Sequence, residues 1–249
     1  MSNAEEIDNF LNSIFQLQDE EGSWPILKRV SKIVTHPILA LVACRYLLNL
    51  PVVRVDMTNK DRSVARWLFD LRRPGRYYGF VSSYVELPFP LDRYWQGTAK
   101  QNLRTRARNA RAAGFEVRAI ESSRIIDVVS QVFQDKGWEV HNIEADLRKR
   151  DLRKVGESLS DAICVAVFDP DDRVVSFCVG TRTGDAVRTL WSVTSIKGPV
   201  RWLCFSGYVQ EVSAQGGRIL VDSAPWALTG GNKIFAGHLG FKAARIRSN

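Results

Sequence analysis

The chain reads as an α/β (α+β) protein built on a mixed, mostly antiparallel sheet flanked by helices, and three stretches predict this. Gly198–Arg247 parses as helix, strand, glycine-rich connection, short helix and strand. Before it, three apolar runs follow one another, Ala162–Phe168, Arg173–Gly180 and Val187–Thr194. Their links, Asp169-Pro-Asp-Asp172 and Thr183-Gly-Asp185, suit hairpins. Earlier still, helix-period segments at Asp92–Ala113 and Ser122–Asp135 flank a strand-like Phe115–Ile120 and supply cover for a sheet.

From the N-terminus, Ala4–Leu17 has amphipathic helix spacing through Ile7, Phe10, Leu11, Ile14 and Phe15. Gly22-Ser23 breaks it, and Ser23 can cap a helix entered through Trp24-Pro25. The most apolar stretch, Ile33–Val53, is interrupted by His36-Pro37, Arg45 and Pro51. A spanning helix needs about 20 mainly apolar residues, so this stretch is expected to be a buried helix and a following strand. Val52–Asp56 reads as that strand. Thr58 or Asn59 caps a helix over Asp61–Leu71, which Arg73-Pro74-Gly75 ends, and Tyr77–Leu87 reads as a strand. Pro88-Phe-Pro90 is the expected boundary between a smaller α/β segment, residues 1–90, and the main domain, residues 91–249. In the main domain Gly114 ends the first helix, Gly137-Trp138 ends the second, and Ile143–Val155 is a short charged helix. Gly198-Pro199 then opens a helix with the apolar stripe Leu203, Phe205, Tyr208, Val209 and Val212, stopped by Gly216-Gly217. Arg218–Asp222 is a strand, Thr229–Asn232 a break, Lys233–Leu239 a short helix, and Gly240-Phe241 turns into a last strand.

Composition sets limits on function. A hydrophobic fraction of 45% with seven Trp and twelve Phe supports a substantial core. Cys44, Cys164, Cys178 and Cys204 lack metal-ligand spacing and are expected to be small buried hydrophobes in a reducing compartment. The three histidines are also far apart, so no metal is expected. The acidic N-terminus, Glu5, Glu6 and Asp8, lacks the basic region of a signal peptide; a cytoplasmic protein with no membrane partner is expected, of unassigned oligomeric state. Net charge is +8, and most of it is central: residues 91–156 carry 14 Lys+Arg and 9 Asp+Glu, a net of +5. That placement favours a local anionic partner.

The basic stripe lies on Asp92–Ala113. At about 100° per residue, Lys100, Arg104, Arg108 and Arg111 fall within roughly 80° of one another with no acid among them. A solvated helix face usually mixes signs, so the stripe is a candidate for successive phosphates, as a tRNA acceptor arm presents them. Arg106 falls among the apolar positions and is expected to be ion-paired. Arg148-Lys-Arg150 and Arg153-Lys154 are interleaved with Asp146 and Asp151 and read as a solvated face.

The segment AGHLGFKAARIR resembles the closing YEKLGF-type helix, turn and strand of the GNAT acyltransferase superfamily. The helix after Gly-Pro, the AQGGRILVD strand and the glycine-rich link resemble its Fem-like, aminoacyl-transferring branch, and the likeness extends upstream to about Leu91. The resemblance implies attack of an amine on a thioester or ester, with backbone N–H groups at a splayed strand end holding the oxyanion. That end corresponds to Trp191-Ser192-Val193-Thr194-Ser195, which makes Ser192 and Thr194 candidate site residues. Acid–base candidates are Asp222 at a strand end, His238 beside the Gly-Phe turn, and Glu139 with His141 beside Trp138. Two departures matter. The CoA-binding turn of the family is glycine-rich, whereas Ser195-Ile-Lys-Gly-Pro-Val-Arg201 has one glycine and a proline that deletes an amide; Lys197 and Arg201 are the cations there that could compensate. Ala236 stands where the family tyrosine acid would be, and Lys233 is out of register with the Fem-like lysine. The resulting expectation is an N-acyltransferase without a tightly bound cofactor. Aminoacyl-tRNA is the favoured donor, acyl-CoA the alternative, and a non-catalytic ligand- or RNA-binding relative the third reading.

Overall fold

A computed structural model of the chain describes residues 3–15, 25–55, 81–137, 162–223, 225–228 and 230–248. The expected helices at 61–71 and 143–155, part of the expected strand at 77–87, and Trp138, Glu139 and His141 lie outside them. The chain forms two compact units: Met1–Arg54 with Arg66–Tyr84 and Ser223–Asn249, and Val55–Ala65 with Val85–Asp222. Pro88-Phe89-Pro90, with a cis Phe89–Pro90 bond, lies within the second unit.

The first unit contains α1 (Asn3–Phe15), α2 (Pro25–Thr35) and α3 (Pro37–Leu48). With them are β1 (Val52–Val55), the start of β2 (Ser82–Glu86), α8 (Gly230–Leu239) and β8 (Lys242–Ser248). Its strands lie in the order β1-β8-β2, and β2 pairs antiparallel with β8, Ser82 opposite Ala244. Phe10, Leu11, Ala43, Leu50, Val81 and Trp226 form its core, and Trp226 Nε1 donates to Asp8 Oδ1 at 3.0 Å. Only one face of α3 is buried, through Ala43 with Leu39, Ala40 and Leu47 packed beside it. The helix expected to be buried therefore leaves Ile38 80% and Leu41 73% exposed on its other face.

The second unit carries the candidate site. Its elements are α4 (Asp92–Trp95), α5 (Gln101–Ala112), β3 (Glu116–Ile120), α6 (Ile125–Asp135), β4 (Ala162–Phe168), β5 (Val174–Thr183), β6 (Ala186–Thr194), α7 (Val200–Ala214) and β7 (Ile219–Asp222). The strands lie in the order β7-β6-β5-β4-β3; neighbours are antiparallel except β6 and β7, which are parallel. Parallel neighbours need a crossover, and α7 supplies it. This is the mixed, mostly antiparallel arrangement that the order of elements implied.

Both faces of the sheet are covered, which is why β5 buries every residue except Arg182. On one face α6 packs Ile125, Val128, Val129 and Val132 against Phe177, Val179 and Ala166. On the other lies α7, with Leu203, Cys204, Tyr208, Val209 and Val212 each fully buried. Fully burying one such side chain is worth about 1.5–3 kcal/mol. α7 is apolar nearly all round because α5 covers its outer side with Leu103, Ala107 and Ala110. Its end is fixed by glycine: Gly216, at φ +83°, donates to Ser213 O, and Gly217 donates to Val212 O, the Schellman pattern.

The continuous helix expected over 92–113 is broken. Gln96 is extended and Gly97 has φ +84°, so α4 stops at Trp95, a 3₁₀ turn covers Thr98–Lys100, and α5 begins at Gln101. Arg104 stabilises the break by donating from Nη1 to Trp95 O and to Gly97 O, carbonyls that α4 leaves without helical partners. Arg106 is not ion-paired in a core: it is exposed at the edge of the buried Leu103–Ala107–Ala110 face, with its guanidinium 5.8 Å from the Trp202 ring.

Lys100 sits on the 3₁₀ turn with Nζ 4.2 Å from the Tyr94 ring centroid. Burial pulls its ammonium down from 10.5 to about 8, while the ring face opposes that shift by favouring the cation. The folded chain therefore binds fewer protons at this group than the unfolded chain between pH 8 and 10.5. Its contribution to stability is lowest below pH 8 and rises across that window. Lys100→Met is expected to flatten the rise, measured by urea unfolding of both proteins at pH 7 and 10, with a modest effect because the group is partly solvated.

Candidate active site

The site is built where β6 parts from β7. The two strands pair only over Ala186–Arg188 and Ile219–Val221, whereas β6 stays paired with β5 as far as Thr194. The register explains the divergence. Val179 faces Trp191 and Gly180 faces Thr189, which leaves Leu190 as an extra residue in β6. Such a bulge bends the strand and raises its local twist.

The bulge also sets which backbone groups face the gap. Ser195 N–H donates to Val175 O at 2.9 Å, so in this antiparallel ladder Ser195, Val193 and Trp191 direct N–H and C=O to β5. Ser192 and Thr194 alternate with them and direct theirs to the edge that β7 has left. The same alternation puts Ser192 opposite Cys178 as a close, non-hydrogen-bonded pair, and Cys178 Sγ is 3.3 Å from Ser192 Oγ. The Thr194 hydroxyl is 3.2 Å from both Val175 O and Ile196 O, so it donates locally and fixes the strand end.

The first turn of α7 lies at the same end, because a crossover between parallel strands starts where the first strand finishes. Pro199 is its N-cap, and the N–H groups of Trp202 and Leu203 both donate to Pro199 O. The cradle at this terminus is thus reduced to the amides of Val200 and Arg201. Arg201 is half-buried and Lys197 is exposed in the preceding loop. Asp222, half-buried at the end of β7, lies within electrostatic reach of both Arg201 and Cys178. Burial pushes the Cys204 thiol up, and Cys164 is pushed up to about 12 for the same reason. Cys178, itself inaccessible, is held lower by its hydrogen bond with Cys204. Cys44 departs from the expectation of burial and is exposed.

α5 finishes at the same end of the sheet. Gly114, which follows α5, lies under the β4–β5 hairpin: a Cβ on it would be 3.1 Å from Pro170 Cγ. The C-terminal half of α5, with Arg108 and Arg111 exposed, therefore points to the end of the sheet where β6, β7 and the start of α7 meet. Lys100 and Arg104 are engaged by the Tyr94 ring and by the carbonyls of Trp95 and Gly97. His238 is on α8, in the first unit. Glu139 lies outside the described residues. Among the described residues no group of three His, Cys, Asp or Glu could hold a metal ion. Cys164, Cys178 and Cys204 are buried as expected, whereas sequence reasoning missed the Leu190 bulge, which only the register between two strands reveals.

No known family's sequence profile matches the chain, and no curated protein matches it. Solved structures do. L-PGS from Bacillus licheniformis is 12% identical with a TM-score of 0.47, covering 67% of this chain and 60% of its own. The C-terminal domain of a lysylphosphatidylglycerol synthetase candidate from Agrobacterium fabrum is 15% identical with a TM-score of 0.47, covering 66% and 58%. FemX is 8% identical with a TM-score of 0.47, covering 66% and 59%. The chain spans about three fifths of the length of each of these structures.

Proposed function

We propose that this chain is an N-acyltransferase that moves an aminoacyl group from aminoacyl-tRNA to an amine. The observation that supports the reading most is the edge of β6 past its bulge, where the Ser192 and Thr194 amides face a gap bordered by Asp222 and the first turn of α7. The amine lone pair adds to the ester carbonyl carbon, and the carbonyl π pair moves onto oxygen, where those two N–H groups hold it. Collapse re-forms the carbonyl and breaks the bond to the ribose oxygen, which leaves with its pair. Asp222 takes the proton lost by nitrogen and returns it to the departing oxygen. Acyl-CoA would follow the same course with a thiolate leaving. The two-amide cradle at Pro199–Arg201 and the exposed Arg108 and Arg111 favour the polynucleotide carrier over a pyrophosphate that needs a ring of amides.

The test is transfer of a labelled aminoacyl group from charged tRNA to a panel of amines, run beside acetyl-CoA and longer acyl-CoAs. Turnover with a CoA thioester alone would replace the donor, and absence of turnover with every carrier would leave the binding-only reading. tRNA affinity supplies an independent check. Arg108→Gln with Arg111→Gln is expected to lower the slope of log K against log salt by about 2, one unit for each phosphate no longer neutralised. Arg104→Gln is expected to change that slope little, because its guanidinium is already engaged.

A further inference from the structure

An arginine of α5 meets a tryptophan of α7, and the proposed chemistry uses neither. Trp202 stands on the first turn of α7 and is half-buried. Its neighbours Val200, Leu203 and Cys204 are buried, so Trp202 belongs to the outer side of the helix. Arg106 is exposed, and its guanidinium lies 5.8 Å from the centre of the Trp202 ring. That is close to the roughly 6 Å limit for a cation over a ring, so the contact is loose. Other arginines of this unit are tied down: Arg104 and Arg182 donate to backbone carbonyls, and Arg118 and Arg173 pair with carboxylates. Among the described residues Arg106 makes no ion pair, and the Trp202 ring is the contact it has. Arg201, the residue before Trp202, lies within electrostatic reach of Asp222 at the end of β7, which puts the pair beside the candidate site.

We infer that Trp202 and Arg106 bracket an unpaired adenine base of the acyl carrier, the base taking the indole face that Arg106 now covers. A planar cation set loosely over an indole, with no acid competing for it, suits a flat π-system: the base lies on the ring and the guanidinium stacks on its other side. An aliphatic group would gain from the indole alone, and a carboxylate from the cation alone. The inference rests on the carrier reading given above. Adenosine is common to both carriers, as the 3′-terminal nucleotide of tRNA and as the nucleoside end of CoA. In tRNA that nucleotide also bears the aminoacyl ester, so a base held at Trp202 keeps the ester close to Arg201 and Asp222. In CoA the adenosine is at the opposite end from the thioester.

The experiment uses uncharged ligands, so that binding is read apart from transfer. The full chain is titrated with a single-stranded RNA ending in CCA and with the same strand lacking its 3′-terminal base, and separately with CoA and with phosphopantetheine, which lacks the adenosine. Removing the base is expected to weaken RNA binding about tenfold, by the same factor at low and physiological salt, because stacking releases no counterions. Trp202→Ala should bring that ratio close to one, and Trp202→Phe should keep most of it. Arg106→Lys, which retains the charge and loses the plane, should lower it several-fold. Thermal unfolding shows whether each variant folds, and Arg106→Lys carries the test if Trp202→Ala does not. A ratio for RNA that Trp202→Ala abolishes assigns the site to the end of tRNA; the same result for the CoA pair assigns it to the adenosine of CoA. A wild-type ratio near one for both pairs overturns the inference. So does a ratio that survives in folded Trp202→Ala or is untouched by Arg106→Lys, because Arg106 over Trp202 would then only tie α5 to α7. A persisting ratio without transfer from any carrier would keep the base site and remove the acyltransferase reading.

Discussion

Ser192→Pro is expected to leave the sheet folded and to lower kcat/KM for aminoacyl transfer by roughly 10²–10³, the usual cost of removing one oxyanion donor. The argument is directional. Proline deletes a backbone N–H, and the damage depends on where that N–H points. At Ser192 it points to the edge abandoned by β7, so no ladder hydrogen bond to β5 is lost. At Val193 it points to β5, so Val193→Pro should lower the melting temperature and the yield of folded protein. Ser192→Ala keeps the amide and removes only the hydroxyl beside Cys178 Sγ, and it should remain within several-fold of wild type. Single-turnover transfer rates and thermal melts on the three variants separate the cases. Full activity of a folded Ser192→Pro protein would remove the oxyanion assignment, whatever the donor.

Much of the second unit was legible because its signals are local. Helix and strand periods placed β3, α6, β4, β5, β6, α7 and β7 within a few residues, and Gly114 and Gly216 marked helix ends through the left-handed backbone they adopt. The break at Gly97 was misread because the residues on both sides keep helical spacing; what decides it is Arg104 folding back onto two carbonyls nine and seven residues earlier. Arg106 was misread for a related reason. A wheel places a residue on a face, but a long side chain at the edge of that face can leave it and lie over Trp202. The outward face of α3 was invisible for the opposite reason, since an apolar stretch does not say what covers it. The candidate site was legible only as a segment. Trp191–Ser195 could be named from the order of elements, but which amides face the gap depends on a one-residue register shift between two strands.

Gly180→Ala is expected to destabilise the second unit by about 3 kcal/mol or more, at the upper end of overpacking effects. Gly180 stands directly beside the bulge, paired with Thr189. A Cβ there would be 2.0 Å from Tyr208 Oη and 2.6 Å from Arg188 O. The first clash is with a fully buried side chain on α7 and the second is with the backbone of β6, so neither can move aside cheaply. Tyr208→Phe removes the first obstacle and leaves the second. The double variant should therefore recover part of the lost stability, with a coupling energy of about 1 kcal/mol or more, in the range seen for residues in contact. Chemical denaturation of the two single variants and the double measures it. The remaining clash also predicts where the residual damage falls. Arg188 is the last β6 residue paired with β7, so relieving its carbonyl would shift the point at which the two strands part. Transfer activity in the refolded double variant should then drop further than its stability alone would dictate. Activity that tracks the folded fraction would instead mean that the geometry of the gap is set by the Leu190 bulge and is insensitive to Gly180.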